Sequence, residues 1–199
     1  IMSKNEIFSS DYKPDNDTCK DIENLHDKGE SLAGVQLKYA SMKNAKLVNA
    51  DMSNSDLTRS DFSGASMYGI NLEGSNLFKP NLEGANLKSA NLTDCNLLGA
   101  DFSNTKLNNV NWGENYKVIN EKDAEAAILQ GNHKQANEKY KEAEDIYRTL
   151  KISLQSQTLG DDVGKIFVRE MIVKRKQMPK LSPLRIVSKI AHITTGYGE

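Results

Sequence analysis

Cysteine is scarce in this 199-residue chain: only Cys19 and Cys95 occur. Nothing in their placement pairs them, so a disulfide framework is excluded and a reducing compartment is favoured. Histidine is limited to His26, His133 and His192, which lie in three different segments. No Cys-x-x-Cys pair, phosphate loop or nucleophile elbow is present. No apolar run reaches 18 residues and no secretory leader is legible, so no membrane span falls within these residues. The expectation is a soluble, cytoplasmic, non-enzymatic protein with no catalytic residues, no cofactor and no metal. Charge of either sign is nearly balanced, at −1 overall, but it is unevenly spread. Residues 1–29 sum to −3, residues 30–116 to −2 and the remainder to +4.

What the sequence has in quantity is a period of five. From Leu32 to Trp112 every fifth residue is large and apolar, seventeen times without a slip. The residue before each is usually Asn or Asp, and the residue two before is usually small. A period of five fits neither an α-helix nor a plain strand. Each unit therefore reads as one side of a coil, with a turn between units, and the units stack into a solenoid with a continuous core. Two inward residues in five leave a narrow interior. The Asn/Asp positions read as turn and backbone hydrogen bonding rather than as a calcium ladder.

The runs "ADMSN SDLTR SDFSG" and "ANLKS ANLTD CNLLG ADFSN" resemble the pentapeptide-repeat family, whose pattern is A(D/N)LXX. The resemblance covers about 85 residues. It implies a right-handed quadrilateral β-helix with four units per turn and about four coils. Residues twenty apart then share a column, and Phe62 with Phe102 share one as an expected aromatic stack. Cys95 falls at a small inward position and reads as a buried structural thiol. Ile70 and Pro80 occupy small-residue positions, where irregular walls are expected. Trp112, where the frame ends, reads as the closing plug, with Tyr116 against the segment that follows.

Residues 1–29 read as a loose tail to about residue 16 and then a cap helix, with Thr18 and Asp21 as a capping box. The solenoid is expected over 30–116. Residues 117–178 turn to helix formers: helices over 121–130, 133–157 and 162–177. The stripe Ala136, Tyr140, Ala143, Tyr147, Leu150 and Leu154 wants a partner. The third helix is expected to present Val163, Ile166, Phe167 and Met171 on one face. The stretch "GNHKQANEKYKEAE" loosely resembles tetratricopeptide-type hairpins. Residues 179–199 form a basic tail with an amphipathic helix over 184–193.

The run "AEDIYRTLKISLQSQ…GKIFVREMIVKRKQ…TTGYGE" resembles the helical linker of prokaryotic, often archaeal, pentapeptide-repeat proteins that carry a channel-like membrane segment. That resemblance implies the cytoplasmic, soluble part of a larger membrane protein, acting as an interaction or scaffold domain for an unidentified protein partner. Lys174, Arg175, Lys176, Lys180, Arg185 and Lys189 are the candidate partner or membrane-proximal surface. Two other readings are weighed. Some pentapeptide-repeat proteins mimic DNA and act on type II topoisomerases, which needs a strongly acidic rod. The basic tail alone would give weak, salt-sensitive nucleic-acid affinity.

Overall fold

The computed structural model describes residues 6–179 and 182–194. Residues 1–5, 180–181 and 195–199 fall outside the described residues, as do the side chains of His192 and Thr194.

The period-five segment is a repeat solenoid. Parallel bridges join residues twenty apart without interruption, from Gln36 with Asp56 to Asn91 with Asn111. Among the described residues these are isolated bridges rather than extended strands. The reason is the turn that recurs in every unit. In the unit 56–60, Ser60 N–H closes back on the Leu57 carbonyl at 3.1 Å, and Arg59 takes φ 53°. A turn every five residues leaves room for only one bridging residue.

The backbone bookkeeping of that unit is complete. Asp56 N–H donates to the Val35 carbonyl one coil back. Leu57 and Arg59 donate to Asn76 and Phe78 one coil ahead. Ser60 closes the turn. The remaining N–H, on Thr58, donates to Asp56 Oδ1 at 3.1 Å. The Asn/Asp preference therefore has a cause: the side chain satisfies the one donor that no coil can reach. The same local bond recurs at Asp61, Asn71, Asn81, Asn91, Asn96, Asp101 and Asn111. Side-chain amides also link coils, as Asn71 to Asp51 and Asn91 to Asn71, each at 3.1 Å.

All seventeen large apolar centres are buried. Pro80 is accommodated because its position supplies only the turn-closing N–H. Its carbonyl still accepts from Asp101 at 3.0 Å, and the bridges Asn76–Asn96 and Asn81–Asp101 continue past it. Ile70 is fully buried in the same register. The register thus runs unbroken through both positions, and the local departure expected at Pro80 is a bend at residues 78–79 in place of the hydrogen-bonded turn of the other units. The aromatic stack is also corrected. The register places Leu82 between Phe62 and Phe102, so the two rings are two coils apart, roughly 10 Å at the usual strand spacing.

The N-terminal end is capped more tightly than the sequence implied. Residues Glu6–Phe8 form a 3-10 turn, and Ile7 is fully buried. The Ile7 carbonyl accepts from Gln36 N–H at 2.7 Å, in place of a coil that does not exist. The segment from residue 6 is therefore no loose tail. Helix α1 spans Thr18–Asp27 and buries Ile22. Its expected capping box does not form: Asp17 is the N-cap without a side-chain bond, while Thr18 Oγ1 accepts from Asp15 N–H and bonds the Tyr12 hydroxyl.

After Trp112 the chain makes a 3-10 turn at Glu114–Tyr116 and three packed helices follow: α2 (Ile119–Leu129), α3 (His133–Ser156) and α4 (Gly160–Gln177). Asn132 caps α3, its side chain accepting from Gln135 N–H. The α3 stripe is buried as expected, with Ile146 added. The α4 face differs from expectation. Phe167 is 47% exposed, and the buried residues are Ile166, Arg169, Glu170, Ile172 and Val173. That is helical spacing with two charged members. Helix α5 spans Pro183–Thr194. No helix among the described residues is long and apolar enough to cross a membrane.

Candidate interaction surfaces

The joint between the solenoid and the helices is built from side chains that replace a missing coil. In the column below Leu107, the apolar centres Leu47, Met67 and Leu87 each donate their N–H to a backbone carbonyl of the next coil. Leu107 has no such coil, and its N–H donates instead to Gln157 Oε1, from the end of α3, at 2.9 Å. Tyr116 donates its hydroxyl to Asp162 Oδ1 at 2.8 Å, with Lys165 over its ring. Lys122 reaches Asp94 on the last coil. Trp112 is 5% exposed, and its indole N–H has no hydrogen-bond partner.

Behind the joint lies a buried polar cluster. Glu121 on α2 is fully buried and pairs with Arg169 of α4 through both carboxylate oxygens. Tyr147 of α3 donates to Glu121 Oε2 at 2.7 Å and accepts from Val118 N–H at 3.0 Å. Burial, and then the charge of Glu121, raise the Tyr147 hydroxyl well above its ordinary range. This cluster holds α2, α3 and α4 together. Sequence reasoning missed it because the helix faces were assigned from apolar residues alone, which passes over Glu121, Arg169 and Glu170. The available signal was their helical spacing with Ala124, Ile166 and Val173.

The basic residues divide. Lys174 pairs with Glu170 at 2.7 Å. Lys176 pairs with Glu125 at 2.7 Å and lies 3.5 Å from Glu121. Burial raises Glu125 and Glu170, but hydrogen bonds from lysines outweigh it, so both carboxyls end below their usual range. Arg185 donates to the Met178 carbonyl at 2.7 Å, fixing the start of α5. Lys189 is exposed on α5 and Arg175 is half-buried at the end of α4. The six residues are therefore not one continuous surface: two face inward to carboxylates, and Lys180 lies outside the described residues. Cys95 is buried beside the Leu72 carbonyl, and burial pushes its thiol up to about 12. Both cysteines are free. Among the described residues no group of three or more His, Cys, Asp or Glu is placed to hold a metal ion.

Residues 36–74 and 70–109 match the family of pentapeptide repeats, in eight copies. The solenoid is a pentapeptide-repeat segment. No curated protein matches the chain. Among solved structures, the pentapeptide-repeat protein Rfr23 from the cyanobacterium Cyanothece 51142 is 33% identical over 39% of this chain and 53% of its own, with a TM-score of 0.39. HetL, a pentapeptide-repeat protein involved in heterocyst differentiation regulation from Nostoc sp. strain PCC 7120, is 28% identical over 41% of this chain and 40% of its own, with a TM-score of 0.22. QnrB1, a plasmid-mediated fluoroquinolone resistance protein, is 21% identical over 41% of this chain and 57% of its own, with a TM-score of 0.19. The chain thus spans about half the length of these relatives, and the pentapeptide-repeat match leaves the helical module outside it.

Proposed function

We propose that this protein is a non-enzymatic interaction scaffold, the cytoplasmic part of a larger channel-like membrane protein. In it a pentapeptide-repeat solenoid and a helical module act as one rigid unit. The observation that carries the reading is the joint, above all Gln157 completing the Leu107 backbone bond. A module hinged loosely to a rod would not need side chains that replace a coil. The finer geometry belongs to the same proposal: a right-handed, four-sided β-helix of about four coils over 30–116. It is supported by the unbroken twenty-residue register. So does the division into a cap (1–29), a helical module (117–178, tetratricopeptide-like in its α2–α3 turn) and a basic tail (179–199). The membrane-proximal placement draws on the basic residues near α5 and on the resemblance of the linker.

The DNA-mimic reading has less support. On the solenoid wall Lys38 pairs with Asp56 and Lys43 with Asp61, so the acids there are locally neutralised. Nucleic-acid binding by the tail loses Lys174 and Lys176 to carboxylates of the module.

The test is the intact mass of the protein from its own cell, with the gene read past Glu199. Two apolar spans beyond that point support the reading, and ion flux becomes the next assay. A stop codon at that point overturns the membrane part and leaves a free scaffold.

A further inference from the structure

Helix α5 divides its residues between two faces. At 100° per residue, Leu184, Ile186, Val187, Ile190, Ala191 and Ile193 fall within one half of its circumference. Arg185, Ser188 and Lys189 fall on the other half. Leu184, Val187 and Ile193 are each more than 60% exposed, and Ile186 is 53% exposed. Isolated exposed apolar residues are ordinary, but a whole helical face of them is not. The helix itself has no acidic residue, and none occurs anywhere from Met171 to Gly198.

We propose that α5 is an in-plane membrane-binding helix whose apolar half enters the surface of an anionic lipid bilayer. The geometry fits that occupant. Twelve residues make a helix about 18 Å long, too short to cross a hydrocarbon core of about 30 Å. An apolar face with cations on the opposite side is the pattern of a helix lying at the headgroup boundary. The acid-free stretch around it complements negative headgroups and opposes none of them. Pro183 at the first helical position and the Arg185 bond to the Met178 carbonyl set where α5 leaves α4. Leu184, Ile186, Val187 and Ile193 remain exposed in that placement. This inference rests on the membrane-proximal reading of the chain and adds that α5 itself makes the contact and selects anionic lipid.

The experiment is co-sedimentation of the 199-residue chain with vesicles of phosphatidylcholine alone or mixed with phosphatidylglycerol, with circular dichroism alongside. Three proteins are compared: the parent, Ile186→Asp/Val187→Asp, and Lys189→Glu. The parent is expected to sediment with the mixed vesicles with its helicity retained, and to remain free of the neutral ones. The double variant is expected to lose at least about thirtyfold in partitioning, since two buried apolar side chains are replaced by charges. Lys189→Glu is expected to lose about fivefold or more. Both variants alter exposed residues, and an unchanged thermal midpoint verifies the fold. Equal binding by the parent and the double variant overturns the proposal, as does equal affinity for neutral and anionic vesicles. A parent that self-associates through α5 and ignores vesicles also overturns it, with a second copy as the occupant. None of these outcomes changes the intact-mass result. A chain that ends at Glu199 yet binds anionic vesicles through α5 overturns the span and keeps the helix.

Discussion

Gln157 Oε1 accepts the Leu107 backbone N–H at 2.9 Å, fifty residues away in sequence. Every earlier coil uses a backbone carbonyl for this bond. At the last coil a helix end supplies a side-chain amide instead. Replacing Gln157 with Leu leaves a part-buried donor without its acceptor, at a cost of about 1–3 kcal/mol. We expect a lower urea midpoint with an unchanged slope. Amide exchange at Leu107 rises more than at Leu87, whose N–H still bonds to Lys106.

The Glu121–Arg169 pair makes a second prediction. Glu121 is fully buried and Arg169 nearly so. Removing one partner, as in Arg169→Met, leaves the buried carboxylate with only Tyr147 and the more distant Lys176, and should cost about 3 kcal/mol. Replacing both, as Glu121→Leu with Arg169→Met, should recover a large part of that loss. Tyr147 keeps the Val118 N–H as a donor in either case. A double-mutant cycle on thermal or urea unfolding measures the coupling.

The pH dependence follows from the shifted groups. Tyr147 and Cys95 are raised in the folded state, chiefly by burial. Their contributions are complete below the unfolded values, about 10 for tyrosine and 8.5 for cysteine. They are lost as pH rises beyond those values, because the unfolded chain ionises first. Glu125 and Glu170 are lowered overall, the lysine hydrogen bonds outweighing burial. Their contributions are present above about pH 4.3 and are lost as pH falls below it. Unfolding midpoints across a pH series should therefore form a plateau that declines below about 4.3 and above about 8.5. Cys95 should resist alkylation until the protein unfolds.

A fourth prediction concerns the turns. Gly69 has φ +66°, and a Cβ there would sit 2.2 Å from Asn49 Oδ1 in the coil below. Gly69→Ala should cost about 1–2 kcal/mol from the left-handed backbone alone, and Asn49 must also move. A urea titration of this variant checks the value.

The period of five was legible because each inward position is filled by the same kind of side chain, from Leu32 to Trp112. Less visible was the third preference in each unit. Asn44, Asn49, Asn54, Gly64, Gly69 and Gly74 each mark the left-handed residue of their turn. Tyr39, Arg59 and Lys79 blur that preference in the sequence by adopting the same conformation without the favoured residue. The ends were harder. Ile7 terminates the ladder through its carbonyl, and a carbonyl leaves no mark on sequence. Gln157 is a polar residue at a helix end, where polar residues are ordinary. The α4 face was misassigned because apolarity was used as the guide, while Arg169 and Glu170 are buried by pairing. Of the basic candidates, Lys174 and Lys176 looked like a surface because their partners Glu170, Glu125 and Glu121 are distributed over two helices.

Trp112 is the single tryptophan and sits at the joint, so it reports directly on whether solenoid and helical module form one unit. The deciding measurement follows urea unfolding by Trp112 fluorescence and by circular dichroism at the helical band in the same samples. The account predicts coincident transitions, both shifted to lower urea by Gln157→Leu. A helical transition complete at a urea concentration where Trp112 is still buried would contradict it, because the module would then be a separate body on the end of the solenoid.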